Sequence, residues 1–462
     1  MAFQAPRSHE FEGKLDNGIP VFLAPDPHGA PFIRLNLKIR GGRYLVPKGK
    51  EGLAELTGSL WRAGGTMQVP ADKLDDRIEF LAGTISTSID DSSSSISMRF
   101  MEQDLKEGLD LFMQVLLQPA FAQNRIDLAK MNMRKSLDSR NDSASSITNY
   151  QLGYLLNGEN HYSTAAMTTS SLDSLTRDDC RSFHQGLMHP GNMAIAVSGR
   201  FEKKTMLDIL NATVGRLKPM GEARISRKVP APEHTRQPGI YVVDKNVPQS
   251  TVRIVIPGLR RTDSDWHAAV VMNQILGGGG FSSRLMKHLR SDEGLTYGVE
   301  TRVSPGTYWT GDFICGLQTK NRSVPYALRL ILDEIDLIRR SPVADDELKV
   351  IKDAIVQAYP SEWGNKQAVA NRLAEEWMEG WPVDWWVNYR EKIQSVTAEE
   401  VLRVAKKYLD PTRVVILVVG KAAEVEAGDE KDHPGLLKDV ANLPLRRLSL
   451  RDPETNRIVD SK

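Results

Sequence analysis

Apolar and polar positions alternate from Phe32 to Arg40, with Ile33, Leu35, Leu37 and Ile39 on one side and Arg34, Asn36 and Lys38 on the other. A period of two predicts a strand with one face in a core. A shorter apolar run, Ile19 to Leu23, predicts a strand just before it. Two more follow, Gly83 to Asp90 and Ser94 to Phe100. The second half repeats the series as Ile240 to Val243, Thr251 to Ile256, Tyr297 to Val303 and Trp309 to Leu317. Helices are expected to begin near Glu51 and near Asp265. Longer amphipathic helices are expected over Asp104 to Leu117 and Val324 to Arg339.

The repetition has a fixed offset. Ser174-Leu175-Thr176 precedes two acids, as does Ser395-Val396-Thr397, and a Thr ahead of acids is a helix start. Each helix stops before a proline, Pro190 or Pro411, and a strand ending in Gly199 or Gly420 follows. Ser174 and Ser395, Pro190 and Pro411, and Gly199 and Gly420 are each 221 positions apart. One offset across cap, proline and glycine indicates a duplication on the scale of whole domains. The expected fold class is α+β: two homologous α/β sandwich domains, each a mainly antiparallel sheet with helices on one face.

The expected boundaries are a first domain over 1–218, a proline- and charge-rich linker over 219–237, a second domain over 238–424 and a polar extension over 425–462. The extension is read as lying outside the duplicated unit, with Leu436, Leu437, Leu443 and Leu445 docking part of it.

A chain of 462 residues exceeds one ordinary core, which agrees with two domains. Its net charge of +1 argues against a large nucleic-acid or anionic-membrane surface. No apolar run reaches the roughly 18–20 residues of a membrane span, and the N-terminus lacks a secretory pattern. The expectation is a soluble chain, cytoplasmic unless a leader was trimmed from a periplasmic protein. Cys180 and Cys315, far apart, are expected to be free thiols. Of nine histidines no two are four residues apart, so none supplies the paired ligands of a helical metal site. Trp377 and Trp381, with Trp363, Trp385 and Trp386 nearby, fit a packed face or the lining of a chamber.

Candidate chemistry lies in one string. Gly277-Gly278-Gly279-Gly280-Phe281-Ser282-Ser283-Arg284-Leu285 leads into Arg290-Ser291-Asp292-Glu293-Gly294-Leu295-Thr296-Tyr297. No Gly-Lys-Ser/Thr follows the glycines, so this is not a phosphate loop. The string resembles the second-half signature of the zinc peptidases related to pitrilysin and the mitochondrial processing peptidase. The resemblance covers about Leu15 to Gly420. It implies that two such two-domain units face each other as a clamshell, with Arg290 and Tyr297 reaching a zinc site on the opposing unit. It also implies that Gly277 to Gly280, Phe281 and Ser282 contact a peptide.

In that family a first-half helix reads Gly-x-Ala-His-x-x-Glu-His. Here the matching text is Gly52-Leu53-Ala54-Glu55-Leu56-Thr57-Gly58-Ser59. Glu55 and Ser59 replace the two histidines and Gly58 replaces the catalytic Glu. The third ligand would fall near Ser136, and no Glu occurs from Ala122 to Asn157. A catalytic zinc needs three protein ligands and a nearby carboxylate base, so no metal or other cofactor is expected on this chain. The resemblance implies a catalytically incomplete subunit whose zinc sits on a homologous His-x-x-Glu-His partner, with unfolded peptides as substrates. The alternatives are a structural or assembly protein of the same fold and a peptide-binding module that does not cleave.

Overall fold

A computed structural model of the chain describes residues 3–220 and 229–459. It forms two compact units. The first comprises Met1–Asp138, Ala165–Pro230 and Pro360–Val387; the second comprises Ser139–Thr164, Ala231–Tyr359 and Asn388–Lys462. Much of the expected linker, 221–228, lies outside the described residues.

The first unit is built on strands β1 (Glu12–Lys14), β2 (Pro20–Pro25), β3 (Phe32–Arg40), β4 (Thr84–Ile89), β5 (Ser93–Met101) and β6 (Met193–Gly199), in the order β1-β2-β6-β3-β5-β4. Only β2 and β6 run parallel; the other neighbours are antiparallel. The alternation of β3 acts as expected. Ile33, Leu35, Leu37 and Ile39 are buried in one core with Trp61 and Phe112, which come from the helices Leu53–Ala63 and Leu105–Leu117.

The second unit repeats the plan with β7 (Gly239–Asp244), β8 (Gln249–Pro257), β9 (Val299–Ser304), β10 (Asp312–Lys320), β11 (Val415–Gly420) and β12 (Leu445–Leu448). Their order is β12-β7-β11-β8-β10-β9. Thr176 and Thr397 both cap their helices, each accepting from the backbone three residues on while an acid reaches back.

Two features add to the sequence reading. Each sheet carries a helix on the face opposite its main helical layer, and that helix comes from the other half of the chain. Lys366–Glu379 packs on β2, β6 and β3 of the first unit. Ala144–Asn157 packs on β11 and β8 of the second, where Ile147 and Leu156 join Tyr241, Val255 and Leu417. The C-terminal segment is also not outside the second unit. Leu445–Leu448 pairs in parallel with β7 as the last strand of its sheet, and Leu437 is fully buried. The stretch has few apolar residues; backbone pairing holds it, together with Leu448 and Leu450 packed against the second unit's core.

Cys180 and Cys315 are free and buried. Burial pushes the first thiol up to about 11 and the second to about 12, so neither is a reactive thiolate.

Candidate functional site

The glycine run ends a helix and turns it back on the sheet. Trp266–Asn273 continues as a π-helical turn over Gln274–Gly278, and a second π-helical turn spans Lys287–Asp292. Such turns widen a helix by one residue and are common at functional sites. A Cβ on Gly277 would stand 2.6 Å from Thr301 Cγ2 of β9, so the first turn lies against the strand only because the side chain is absent. Gly294, at φ +61, makes the left-handed corner between Arg290 and Tyr297. The Thr319 hydroxyl donates to the Leu295 carbonyl at 2.7 Å, and Thr296 Oγ1 donates to the Gln318 carbonyl at 2.7 Å. The corner is thus pinned to β10.

Arg290, Tyr297, Phe281, Gly277, Gly278 and Gly280 line one cavity of about 520 Å3. Gly279 and Ser282 do not line it; Ser282 donates its hydroxyl to the Gly279 carbonyl at 2.9 Å. Arg290 Nη1 donates to the Tyr297 carbonyl at 2.7 Å, and its guanidinium lies 4.7 Å from the centre of the Phe281 ring. Tyr297 is 87% exposed and Phe281 72% exposed. The Tyr297 hydroxyl has no hydrogen bond among the described residues. An aromatic pair exposed to water beside a cation is not part of a core. Arg284, by contrast, is structural: it makes a two-pronged pair with Glu347 at 2.8 and 2.6 Å.

Sequence reasoning missed the floor of this cavity. Gln249 and Arg253 of β8, Gln318 of β10 and Glu300 of β9 line it too. Arg253, Gly316 and Glu300 are directly opposite one another across three strands. A Cβ on Gly316 would lie 2.8 Å from Arg253 Nη1, so the guanidinium rests over a gap in the sheet's side-chain layer. The available signal was a lone charge within an apolar strand, Val252-Arg253-Ile254.

The degenerate metal motif lies on the helix Leu53–Ala63 of the first unit. Glu55 and Ser59, four apart, are both exposed, while Gly58 is buried. Arg43 bridges Glu55 at 2.9 Å and Asp91 at 3.4 Å. A cationic side chain therefore holds the one carboxylate of the motif. Ser59 Oγ donates to its own helix at the Leu56 carbonyl, 2.9 Å away, and Ser136 does the same to Asn132 at 3.2 Å. At Gly58 a Cβ would be 3.3 Å from the Ile89 nitrogen, and Thr87 donates its hydroxyl to the Gly58 carbonyl at 3.0 Å. Strand β4 closes over the position where a base would stand. Among the described residues no group of three His, Cys, Asp or Glu is placed to hold a metal ion. The zinc of the resembled family does not fit these residues. His184 is a core residue: its Nε2 lies 2.9 Å from the Leu116 carbonyl, and burial pushes its pKa down to about 4.

The tryptophans pack on one another and on arginines. Trp363 and Trp386 meet edge to face at 6.5 Å, and Arg372 lies 4.9 and 4.4 Å from their rings. The helix carrying Trp377 ends at Glu379 with Gly380 left-handed, so Trp381 lies beyond it rather than one turn along it. No helix among the described residues is long and apolar enough to cross a membrane.

Comparison with known proteins agrees with this geometry. Residues 21–169 match the model for insulinase, peptidase family M16, and residues 174–355 match the model for the peptidase M16 inactive domain. An uncharacterized zinc protease of Streptomyces coelicolor is 22% identical over 375 residues, covering 79% of each chain. A non-peptidase homologue of Helicobacter pylori is 24% identical over 338 residues, 72% of this chain and 77% of the relative. The crystal structure of a peptidase M16 inactive domain from Pseudomonas fluorescens superposes with a TM-score of 0.79 at 22% identity, over 89% of this chain and 98% of that one. With two sheets of matching plan, a motif helix stripped of its ligands and M16 models matched well beyond half its length, the chain belongs to the M16 peptidase family, on the side of its inactive, non-zinc members.

Proposed function

We propose that this chain is the non-metal subunit of a two-chain peptidase and lends Arg290 and Tyr297 to a homologous partner that carries His-x-x-Glu-His. The partner holds the metal and the base. This chain closes the chamber and presents a phenol and a guanidinium to the bound peptide. When a peptide carbonyl is attacked, negative charge collects on its oxygen, and a phenolic O–H aimed there stabilises the charge as it forms. A guanidinium can grip neighbouring carbonyls in fixed orientation. Substrates are unfolded peptides. β9 is the last strand of its sheet, so an extended peptide could pair along it beside Tyr297.

The observation that carries this reading is the Tyr297 hydroxyl: exposed, unbonded, and on the same cavity wall as a guanidinium fixed to its own backbone. The test is reconstitution with the His-x-x-Glu-His homologue of the same organism on a quenched fluorescent peptide library. Turnover should appear in the mixture well above that of the homologue alone. Tyr297→Phe should lower it about 10²–10³-fold, the range for losing one such donor, with the partner's zinc content unchanged. Equal turnover with the Phe variant would leave a structural or peptide-holding role. The ion pair of Arg43 with Glu55 speaks against cleavage by this chain on its own.

A further inference from the structure

We infer that the part of the first unit's sheet over β3, β5 and β4 that the helix Lys366–Glu379 leaves uncovered is a docking surface for an acidic polypeptide segment. On β3 the side chains opposite the core are Arg34, Asn36, Lys38 and Arg40. Across the register, Arg34 faces Arg99, Asn36 faces Ser97, Lys38 faces Ser95 and Arg40 faces Ser93. β4 continues the face with Thr84, Ser86 and Ser88. Cations and hydroxyls thus cover the face of these three strands, and no carboxylate stands on it. Of the acids at its margins, Asp91 bridges Arg43 and Glu102 pairs with Arg200, while Asp90 stands exposed at the turn between β4 and β5.

Arg40 has a structural task. It is buried, donates to the carbonyls of Trp377 and Met378 at 3.1–3.2 Å, and stacks on Trp377. Arg34, Lys38 and Arg99 have none. Among the described residues none of the three lies within 4.0 Å of a carboxylate. By contrast, Arg43, Arg62, Arg77 and Arg125 of the same unit each bridge a carboxylate. Arg34 and Arg99 are also direct cross-strand neighbours, and like charges so placed destabilise a sheet. Both lean over the Phe32 ring, at 5.8 and 5.1 Å. An anion lying between them would reverse the sign of that interaction. The local charge is hidden in the chain's total of +1, because compensating acids lie elsewhere.

The second unit shows the same bias independently. On the matching face of its sheet, Arg253, Arg302 and Lys320 stand with the acids Glu300 and Asp312, and Asp312 is taken up by an ion pair with Arg236. A peptide fits better than a nucleic acid. The aromatic rings at the first face are already covered, Phe32 by the guanidinium groups of Arg34 and Arg99 and Trp377 by that of Arg40, so no stacking platform remains for bases. Serine hydroxyls and the unpaired edge of β4 instead match the carbonyls and amides of an extended chain. The inference rests on the proposed function only in taking the ligand for a peptide; it requires neither Tyr297 nor a metal-bearing partner.

The experiment is fluorescence anisotropy with this chain alone and a labelled, unstructured 20-residue peptide rich in Glu and Asp. Controls are the same peptide with Gln and Asn in place of the acids and a labelled oligo-dT. The acidic peptide should bind at least ~10-fold tighter than the neutral one and weaken steeply with salt. Arg34→Gln with Arg99→Gln should lose at least ~10-fold, and Lys38→Gln alone a smaller factor, while Lys349→Gln, at a surface cation paired with Asp353, binds like the unaltered chain. The double variant removes a repulsion, so its melting temperature should not fall. Equal binding of acidic and neutral peptides, equal binding by the double variant, or oligo-dT binding as tightly as the acidic peptide would each overturn the inference. Failure here leaves the reconstituted turnover untouched, and a silent Tyr297→Phe leaves this binding untouched.

Discussion

Arg290 holds Tyr297 by its backbone: the guanidinium donates to the Tyr297 carbonyl at 2.7 Å and leaves the phenol free. The two side chains are therefore coupled through the corner at Gly294 rather than by touching. Arg290→Ala should release that corner and lower kcat/KM of the reconstituted pair. Once Arg290 is gone, removing the Tyr297 hydroxyl should cost less than it does alone. A double-mutant cycle should give a coupling of about 1 kcal/mol, within the usual range for linked residues. Arg290→Lys keeps the charge but not the planar fork and should recover little. Strict additivity would mean that the two act separately.

Rewriting Glu55→His, Gly58→Glu and Ser59→His restores the letters of the metal motif but should not restore the site. Position 58 lies under β4, with Ile89 3.3 Å from where a Cβ would begin, so a Glu must push the strand aside. Overpacking of this kind costs about 1–3 kcal/mol. The later helix still offers Ser136, not a carboxylate. Metal analysis after dialysis should find well under one zinc per chain. The melting temperature should fall.

Much of this architecture is legible in the sequence, because alternation and capping are local. β3 spans Phe32–Arg40 as its pattern predicts, and both Thr caps form. The pairing of Lys366–Glu379 with the first sheet, and of Ala144–Asn157 with the second, is not legible. An amphipathic helix declares a buried face but not which sheet buries it. Arg253 escaped for a related reason: its meaning depends on Gly316 opposite it, 63 positions along the chain. The loss of the metal site was readable from Glu55, Gly58 and Ser59. The Arg43 bridge that occupies their surroundings needed coordinates.

Asp265 ties the start of one helix to the end of another. Its carboxylate accepts from Arg403, Lys407 and Tyr408 at 2.7–2.8 Å and is 4% exposed. The Arg403 hydrogen bond, then those of Lys407 and Tyr408, hold the carboxyl well below the usual carboxylate range. A depressed folded-state pKa contributes stability above the unfolded value, near 3.9, and loses it as pH falls further. Asp265→Asn should therefore cost clearly more stability at pH 7 than at pH 2. The two cations are half exposed, so water screens part of the interaction, and the loss should be about 2 kcal/mol. Urea unfolding at the two pH values measures it; an equal loss at both would assign the effect to packing.

Glu376 works in the opposite direction. It is 4% exposed, near the end of the helix Lys366–Glu379, and accepts from the Trp385 amide at 3.3 Å. Burial pushes its carboxyl up to about 7, against the amide bonds of Trp385 and Asp384, and the Asp384 charge adds to the rise. Between about pH 4.5 and 7 the folded chain keeps a proton that the unfolded chain has released. Stability from this group is full below 4.5 and is lost as pH rises through 7. His184, in the same unit, has the reverse slope: buried and neutral, it favours the folded state above pH 6.5 and loses that advantage as pH falls toward 4. In the unaltered chain the two slopes oppose each other between about 4.5 and 6.5. Glu376→Gln removes one of them. It should raise the urea midpoint at pH 8, by up to about 3 kcal/mol in stability, and change little at pH 4.5. The remaining profile should decline steadily from pH 6.5 downward, as the histidine alone requires. A variant no more stable than the parent at pH 8 would show that Glu376 reaches water in the folded state and carries no such burden.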